Sequence, residues 1–224
     1  MSRKSSSREG KYRLIIPGKE DFLNNLQREL DPMYKVAKRL LDNSWGSPPE
    51  MVEGVGVLLL TWNQPFYGRF GWFKFEELEK CLANNLKAIK GFKEREIFSF
   101  SSADEDVTKA LFDEFLEALK GVREAKAIRT PVGVTKALHL LAPKFFPMWD
   151  DQIAKDYRCY WYSSEGAAEK YICFCEWIKE VAEEVRDYPS LPSDRTLVKL
   201  IDEYNHKTRS TKEEKHYKVL RKAS

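Results

Sequence analysis

Histidine is nearly absent from this chain of 224 residues, with three in all. Cysteine is little commoner: Cys81, Cys159, Cys173 and Cys175. None of the four sits in the paired C-x-x-C spacing of a zinc site. Metal chemistry is thus not expected, no cofactor is implied, and a histidine-based triad has little to draw on. The thiols read as reduced structural side chains of a cytosolic protein. No apolar run approaches the roughly 18 residues of a membrane span; the longest, Val55–Leu60, has six residues. The opening MSRKSSSREG has charge but no apolar stretch behind it, so it does not read as a secretory leader. A cytoplasmic protein is expected, nuclear or nucleoid-associated if it binds DNA, and not secreted. Internal repeats and composition breaks are also missing, which argues against several domains or a solenoid.

Charge is plentiful but unevenly placed. Residues 1–13 carry a net +4 and residues 206–224 a net +5, so the stretch 14–205 stands at −6 within a total of +3. A mildly acidic body carries two basic ends. The ends could attract phosphate without sequence preference, or serve only as solvated termini. Arg209, Lys212, Lys215 and Lys218 recur at three-residue spacing, which would make a basic helical face on binding.

Hydrophobic residues make up 42% of the chain, enough for a packed core. Their spacing reads as helix after helix. Asp31-Pro32 caps and starts one helix, with Met33, Val36, Ala37, Leu40 and Leu41 as its stripe. Ser47-Pro48-Pro49-Glu50 has the pattern of a capping box and opens the apolar segment that ends in Thr61-Trp62-Asn63-Gln64-Pro65. That segment reads as a central buried helix, with a strand as the competing reading. Residues 66–73 (FYGRFGWF) are aromatic and Gly-rich, and read as a packed loop or a base-stacking platform. Further helices are expected over 74–89, from Ser102, over 131–141, around 150–157, from Ser164 and from Ser193. Arg13–Ile16 reads as a short strand or an extended lead-in. The sum is all-α: a single compact domain of eight to ten helices over 13–206, with a disordered basic tail at 1–12 and a basic tail at 207–224.

The segment with chemical character runs from Thr130 to Asp150. Lys136 falls in the first turns of an apolar helix, at the positive end of its dipole, which favours a neutral, nucleophilic amine. A proline-bounded aromatic turn follows, and Asp150 then opens the next helix, 14 residues after Lys136. Such a carboxylate stays ionised and can stabilise a developing positive charge.

Over residues 128–158 the chain resembles the helix-hairpin-helix superfamily of DNA glycosylases, in particular proteins like 8-oxoguanine DNA glycosylase. Lys136 matches that family's catalytic lysine, and Pro147-Met148-Trp149-Asp150 resembles the loop that delivers its catalytic aspartate. The resemblance implies a glycosylase-like fold and a DNA N-glycosylase with lyase activity that excises a damaged base. Lys136 and Asp150 would be catalytic. Trp149, Phe146, Trp62, Asn63 and His139 would contact the base, and Gly133 and Thr135 the DNA backbone. It implies double-stranded DNA as partner, a monomer, and no metal. The family's hairpin carries two glycines where this chain has Gly133 between Val132 and Val134.

Plainer readings stand beside each assignment: a solvated lysine for Lys136, a helix N-cap for Asp150, a hydrogen-bonded structural histidine for His139, and a buried anchor with a capping amide for Trp62-Asn63. Two other functions stay open, a non-catalytic nucleic-acid- or nucleotide-binding protein on the same fold and a helical protein-interaction module.

Overall fold

The computed structural model describes residues 12–123, 126–209 and 218–221. Ten α-helices are present among them, with four three-residue strands, so the class is all-α with minor β decoration.

The first helices follow their cap signals. After α1 (Lys19–Asn24), Asp31 caps α2 (Pro32–Ser44) by accepting from the Met33 and Tyr34 backbone N–H groups, with Pro32 in the first turn. In α3 (Pro48–Trp62), Ser47 takes the N-cap position, but its side chain makes no capping bond. The helix is held by burial instead: Met51, Val55, Leu58 and Leu59 are all fully buried. Gly54 lets α2 and α3 close together, since a Cβ there would lie 2.9 Å from the Ala37 carbonyl.

Residues 64–70 are helical, not a loop. This is α4 (Gln64–Phe70), with Pro65 in its first turn and Gly71 at φ +83 as its stop. Phe66 and Phe70 lie one turn apart and pack at 5.1 Å, a helical periodicity that the glycines obscured. Then come α5 (Phe75–Lys93) and α6 (Glu105–Ala118). The turn before α6 is closed by a reciprocal capping box of Ser101 and Asp104, with Arg95 bidentate on the Asp104 carboxylate.

Between α6 and the next helix runs a hairpin of β1 (Gly121–Arg123) and β2 (Lys126–Ile128), antiparallel and undeclared by the sequence pattern. It leads into α7 (Pro131–Leu141), which packs against α2, α3 and α6 at the centre of the fold. The remaining helices are α8 (Asp151–Asp156), α9 (Ala167–Val185) and α10 (Leu197–Lys207). The last begins at a Thr196 cap, three residues beyond the expected Ser193.

A second small ribbon joins the ends. Tyr12–Leu14 pairs antiparallel with Val219–Arg221, so part of the segment read as a C-terminal tail lies in the folded body. Val219 is 1% exposed and Lys218 donates to Thr208 Oγ1 at 2.7 Å. The expected tail at 1–12 lies outside the described residues save Tyr12, and Lys212 and Lys215 of the expected basic face lie outside them too. Among the described residues no helix is long and apolar enough to cross a membrane. All four cysteines are buried and none is in a disulfide.

Candidate active site

The C-terminus of α3 and the N-terminus of α7 meet, and their unsatisfied backbone groups are stitched together. Thr130 caps α7 by accepting the Gly133 N–H at 3.0 Å, and its hydroxyl oxygen also accepts from Asn63 Nδ2 at 3.0 Å. Lys136 Nζ donates to the Trp62 carbonyl oxygen at 2.6 Å, one of the open carbonyls ending α3. The amine is therefore partly buried and bonded, not solvated. Burial pushes its pKa down to about 8, against the opposing pull of Asp202 first and Asp150 second.

These groups line a cleft of about 810 Å³ between α3, α4, α7, α8 and α10. Lys136 and Asp150 both face it, as do Trp62, Asn63 and Trp149. Five of the expected site residues are thus brought to one place. Asp150 is also an N-cap: its Oδ1 accepts from the Gln152 and Ile153 N–H groups at 2.9 and 2.7 Å, and Oδ2 takes an ion pair from Arg209. Trp62 lies stacked on Tyr34, 5.6 Å between centroids, and its indole N–H donates to Asp31. Trp149 stacks on Trp161 at 4.8 Å, and its indole N–H has no acceptor among the described residues.

Four expected site residues lie elsewhere, each for a packing reason. Phe146 is fully buried against Phe92 and Phe145 and lines no part of the cleft, so it offers no face to a base. His139 is fully buried. Its Nδ1 lies 2.8 Å from the Phe146 carbonyl, which can only accept, so Nδ1 carries the proton and Nε2 accepts from Tyr34 Oη at 2.9 Å. This is the hydrogen-bonded structural histidine, and burial lowers its pKa to about 4. Gly133 sits inside α7 rather than in a turn before it, and its N–H already serves Thr130; a Cβ would come within 2.8 Å of Thr130 Cγ2. Thr135 is buried, donating to Val132 and accepting the Trp149 N–H at 3.4 Å. Gly133 and Thr135 thus present nothing to a DNA backbone. Thr135 and His139 instead tie the 142–150 loop to α7 on either side of Lys136, which sets where Asp150 stands.

The structure adds site residues that the sequence pattern did not single out. Lys199 and Asp202 of α10 line the cleft and pair at 2.7 Å, with the Lys199 amine 5.1 Å from the Trp62 ring centroid. They are anchored by a buried pair behind them, Arg195 with Glu203 at 2.7 Å. The linear signal was the helical spacing of Lys199, Asp202 and His206, in a stretch that also carries Glu203 and Asn205. No group of three or more His, Cys, Asp or Glu side chains among the described residues could hold a metal ion.

Set against known proteins, the chain matches no family model, no curated protein and no solved structure.

Proposed function

We propose that this cleft is a base-excision site and that the chain is a DNA glycosylase with lyase activity of the helix-hairpin-helix kind, working on a base flipped out of duplex DNA. The observation that carries the reading is a lysine amine with its pKa lowered to about 8 sharing an aromatic-walled cleft with Asp150. Cleavage of the glycosidic bond sends its electron pair to the departing base and leaves positive charge on the sugar. Asp150, with Asp202 beside it, stabilises that charge. The neutral Lys136 amine attacks the anomeric carbon and gives up a proton; the C1′–O4′ bond then breaks, O4′ takes a proton to become the C4′ hydroxyl, and a protonated Schiff base remains. Loss of a C2′ proton then expels the 3′ phosphate. Trp62 and Trp161, the latter stacked on the buried Trp149, supply the apolar walls for the base.

Borohydride trapping on duplexes bearing damaged bases or abasic sites tests this. The expected result is a covalent complex on the wild type and none on Lys136→Gln. Absence of both trapping and base release over a lesion panel overturns it. A second reading, non-catalytic binding of a nucleic acid or nucleotide in the same cleft, is favoured by one specific arrangement. Both Asp150 oxygens and the Lys136 amine are already engaged, with Arg209 across the carboxylate. It predicts ligand affinity that Lys136→Gln leaves nearly unchanged.

A further inference from the structure

An amine that adds to carbon must shed a proton, and the one group bonded to Lys136 Nζ, the Trp62 carbonyl oxygen, is no base. Two carboxylates act on this amine by charge, Asp202 more than Asp150. They are not equally free to take a proton. Asp150 Oδ1 accepts two backbone N–H groups, and its Oδ2 lies against the Arg209 guanidinium. Asp202 Oδ2 accepts from Lys199 at 2.7 Å, and among the described residues nothing bonds to its Oδ1. A carboxylate offers about four acceptor sites, so Asp150 has most of its capacity in use and Asp202 little.

Asp202 is also held in place. Its side chain is 15% exposed and lines the cleft. Lys199, its partner, lies 3.9 Å from Glu203 as well, so the lysine charge is shared and does not neutralise Asp202 alone. The same amine sits 5.5 and 5.1 Å from the Tyr34 and Trp62 ring centroids, which ties the pair to α2 and α3. After burial, Asp202 is the largest charge influence on Tyr34 and on His139 too, so its field reaches both α2 and α7. His139 cannot compete for the proton, since both its ring nitrogens are bonded in the core. His206, one turn further along α10, is exposed and is not among the groups whose charge acts on Lys136.

We propose that Asp202 is the proton carrier of this site: its Oδ1 takes the proton that the Lys136 nitrogen releases on bonding to C1′ of the sugar, and returns it to O4′ as the C1′–O4′ bond breaks. The carboxylate ends as it began, and the electron pair of the broken bond stays on oxygen. Asp150 keeps its charge and its cap on α8. The proposal rests on the reading that Lys136 is a nucleophile, and it names a further catalytic residue for that step. A simple aldehyde makes the same demand without DNA. Nitrogen loses a proton and oxygen gains one as the carbinolamine forms, before water leaves to give the imine.

The test follows imine formation between the full chain and 2-naphthaldehyde by absorbance, with Lys136→Gln as the blank. Borohydride reduction and peptide mass spectrometry confirm the modified lysine. At pH 7 an amine of pKa about 8 is roughly one-tenth neutral. Removing a mere countercharge at Asp202 lowers that pKa further and speeds the reaction, by at most about tenfold. Removing a proton carrier slows it, by about 100-fold. Asp202→Asn should therefore react more slowly than the wild type. Asp202→Glu, which keeps the carboxylate, should lose less, and added formate should restore the rate of Asp202→Ala. A rate in Asp202→Asn at or above the wild type overturns the proposal. So does failure of formate to rescue, a loss confined to His206→Gln, or a wild type that forms no imine at Lys136. Borohydride trapping on abasic duplexes separates this from excision. Slow, rescuable Asp202 variants with no trapping by the wild type refute excision and keep the carrier; trapping with Asp202→Asn at full rate refutes the carrier and keeps excision.

Discussion

Lys136 is held where its charge is unwelcome, and replacing it by Met should show this without any activity assay. Its pKa falls from 10.5 to about 8 on folding. Between those values the unfolded chain holds a proton that the folded chain has lost, so the wild type gains stability as pH rises through that window. Below pH 8 the penalty is complete: a shift of this size is worth about 3 kcal/mol, and about 2 kcal/mol after allowing for the part of the side chain that still reaches water. Lys136→Met keeps the length of the side chain and removes this penalty. It also removes the bond to the Trp62 carbonyl, worth about 1 kcal/mol where the oxygen can turn to cleft water. The net expectation at pH 7 is a gain of about 1 kcal/mol, or about 2–4 °C in melting temperature for a chain of this size. By pH 10.5 the gain is gone and the variant is the less stable by about 1 kcal/mol. Urea denaturation of both proteins at several pH values between 7 and 10.5 measures this. A difference that keeps one sign and one size across the range would refute the argument, and with it the claim that burial depresses this amine.

Other outcomes follow from the same geometry. His139 is neutral in the fold and ordinary in the unfolded chain, so stability should drop by up to about 3 kcal/mol as pH falls from 6.5 to about 4; His139→Gln should flatten that limb in acid denaturation curves. Arg195→Met leaves the Glu203 carboxylate, whose side chain is 0% exposed, with the Gln27 backbone N–H at 3.4 Å and, among the described residues, Lys199 at 3.9 Å as its remaining cation. It should cost about 3–5 kcal/mol in urea melts, and much of that should return in Arg195→Met/Glu203→Leu. Gly71→Ala should cost about 2 kcal/mol or more, from its positive φ and the overlap with Val122, and should release the hairpin to proteolysis before the helical body unfolds.

The helices declared themselves where a cap and a stripe coincide. Asp31-Pro32 and Asp150 each combine a side-chain acceptor with a helical run, and each forms the capping bonds expected of it, while Thr130, which the pattern did not single out, caps α7 in the same way. The failures share a cause. In FYGRFGWF two glycines argued for a loop, but burial of Tyr67 and the packing of Phe66 on Phe70 outweigh the helix penalty of Gly68. The β1–β2 hairpin is seated by Gly71, which is remote in sequence, and the pairing of Tyr12–Leu14 with Val219–Arg221 spans almost the whole chain. At the site, Lys136 and Asp150 were legible as candidates from their segment, but that they face one cleft is decided by packing. Asp202, Lys199 and Arg209 were not, because α10 reaches the cleft only through packing on α9 and the α2–α3 end.

Composition and local pattern on their own determined the helical class, most helix starts, and Lys136 as the residue to watch. These depend on capping, periodicity and residue inventory within one or two turns of chain. Tertiary structure alone decided that Lys136 is desolvated, that His139, Phe146, Gly133 and Thr135 turn inward, and that the larger charge effect on the amine comes from Asp202 rather than Asp150. Burial and Coulomb interaction depend on what surrounds a group in three dimensions, and those neighbours here come from Trp62 of α3 and Asp202 of α10, 74 and 66 residues away along the chain.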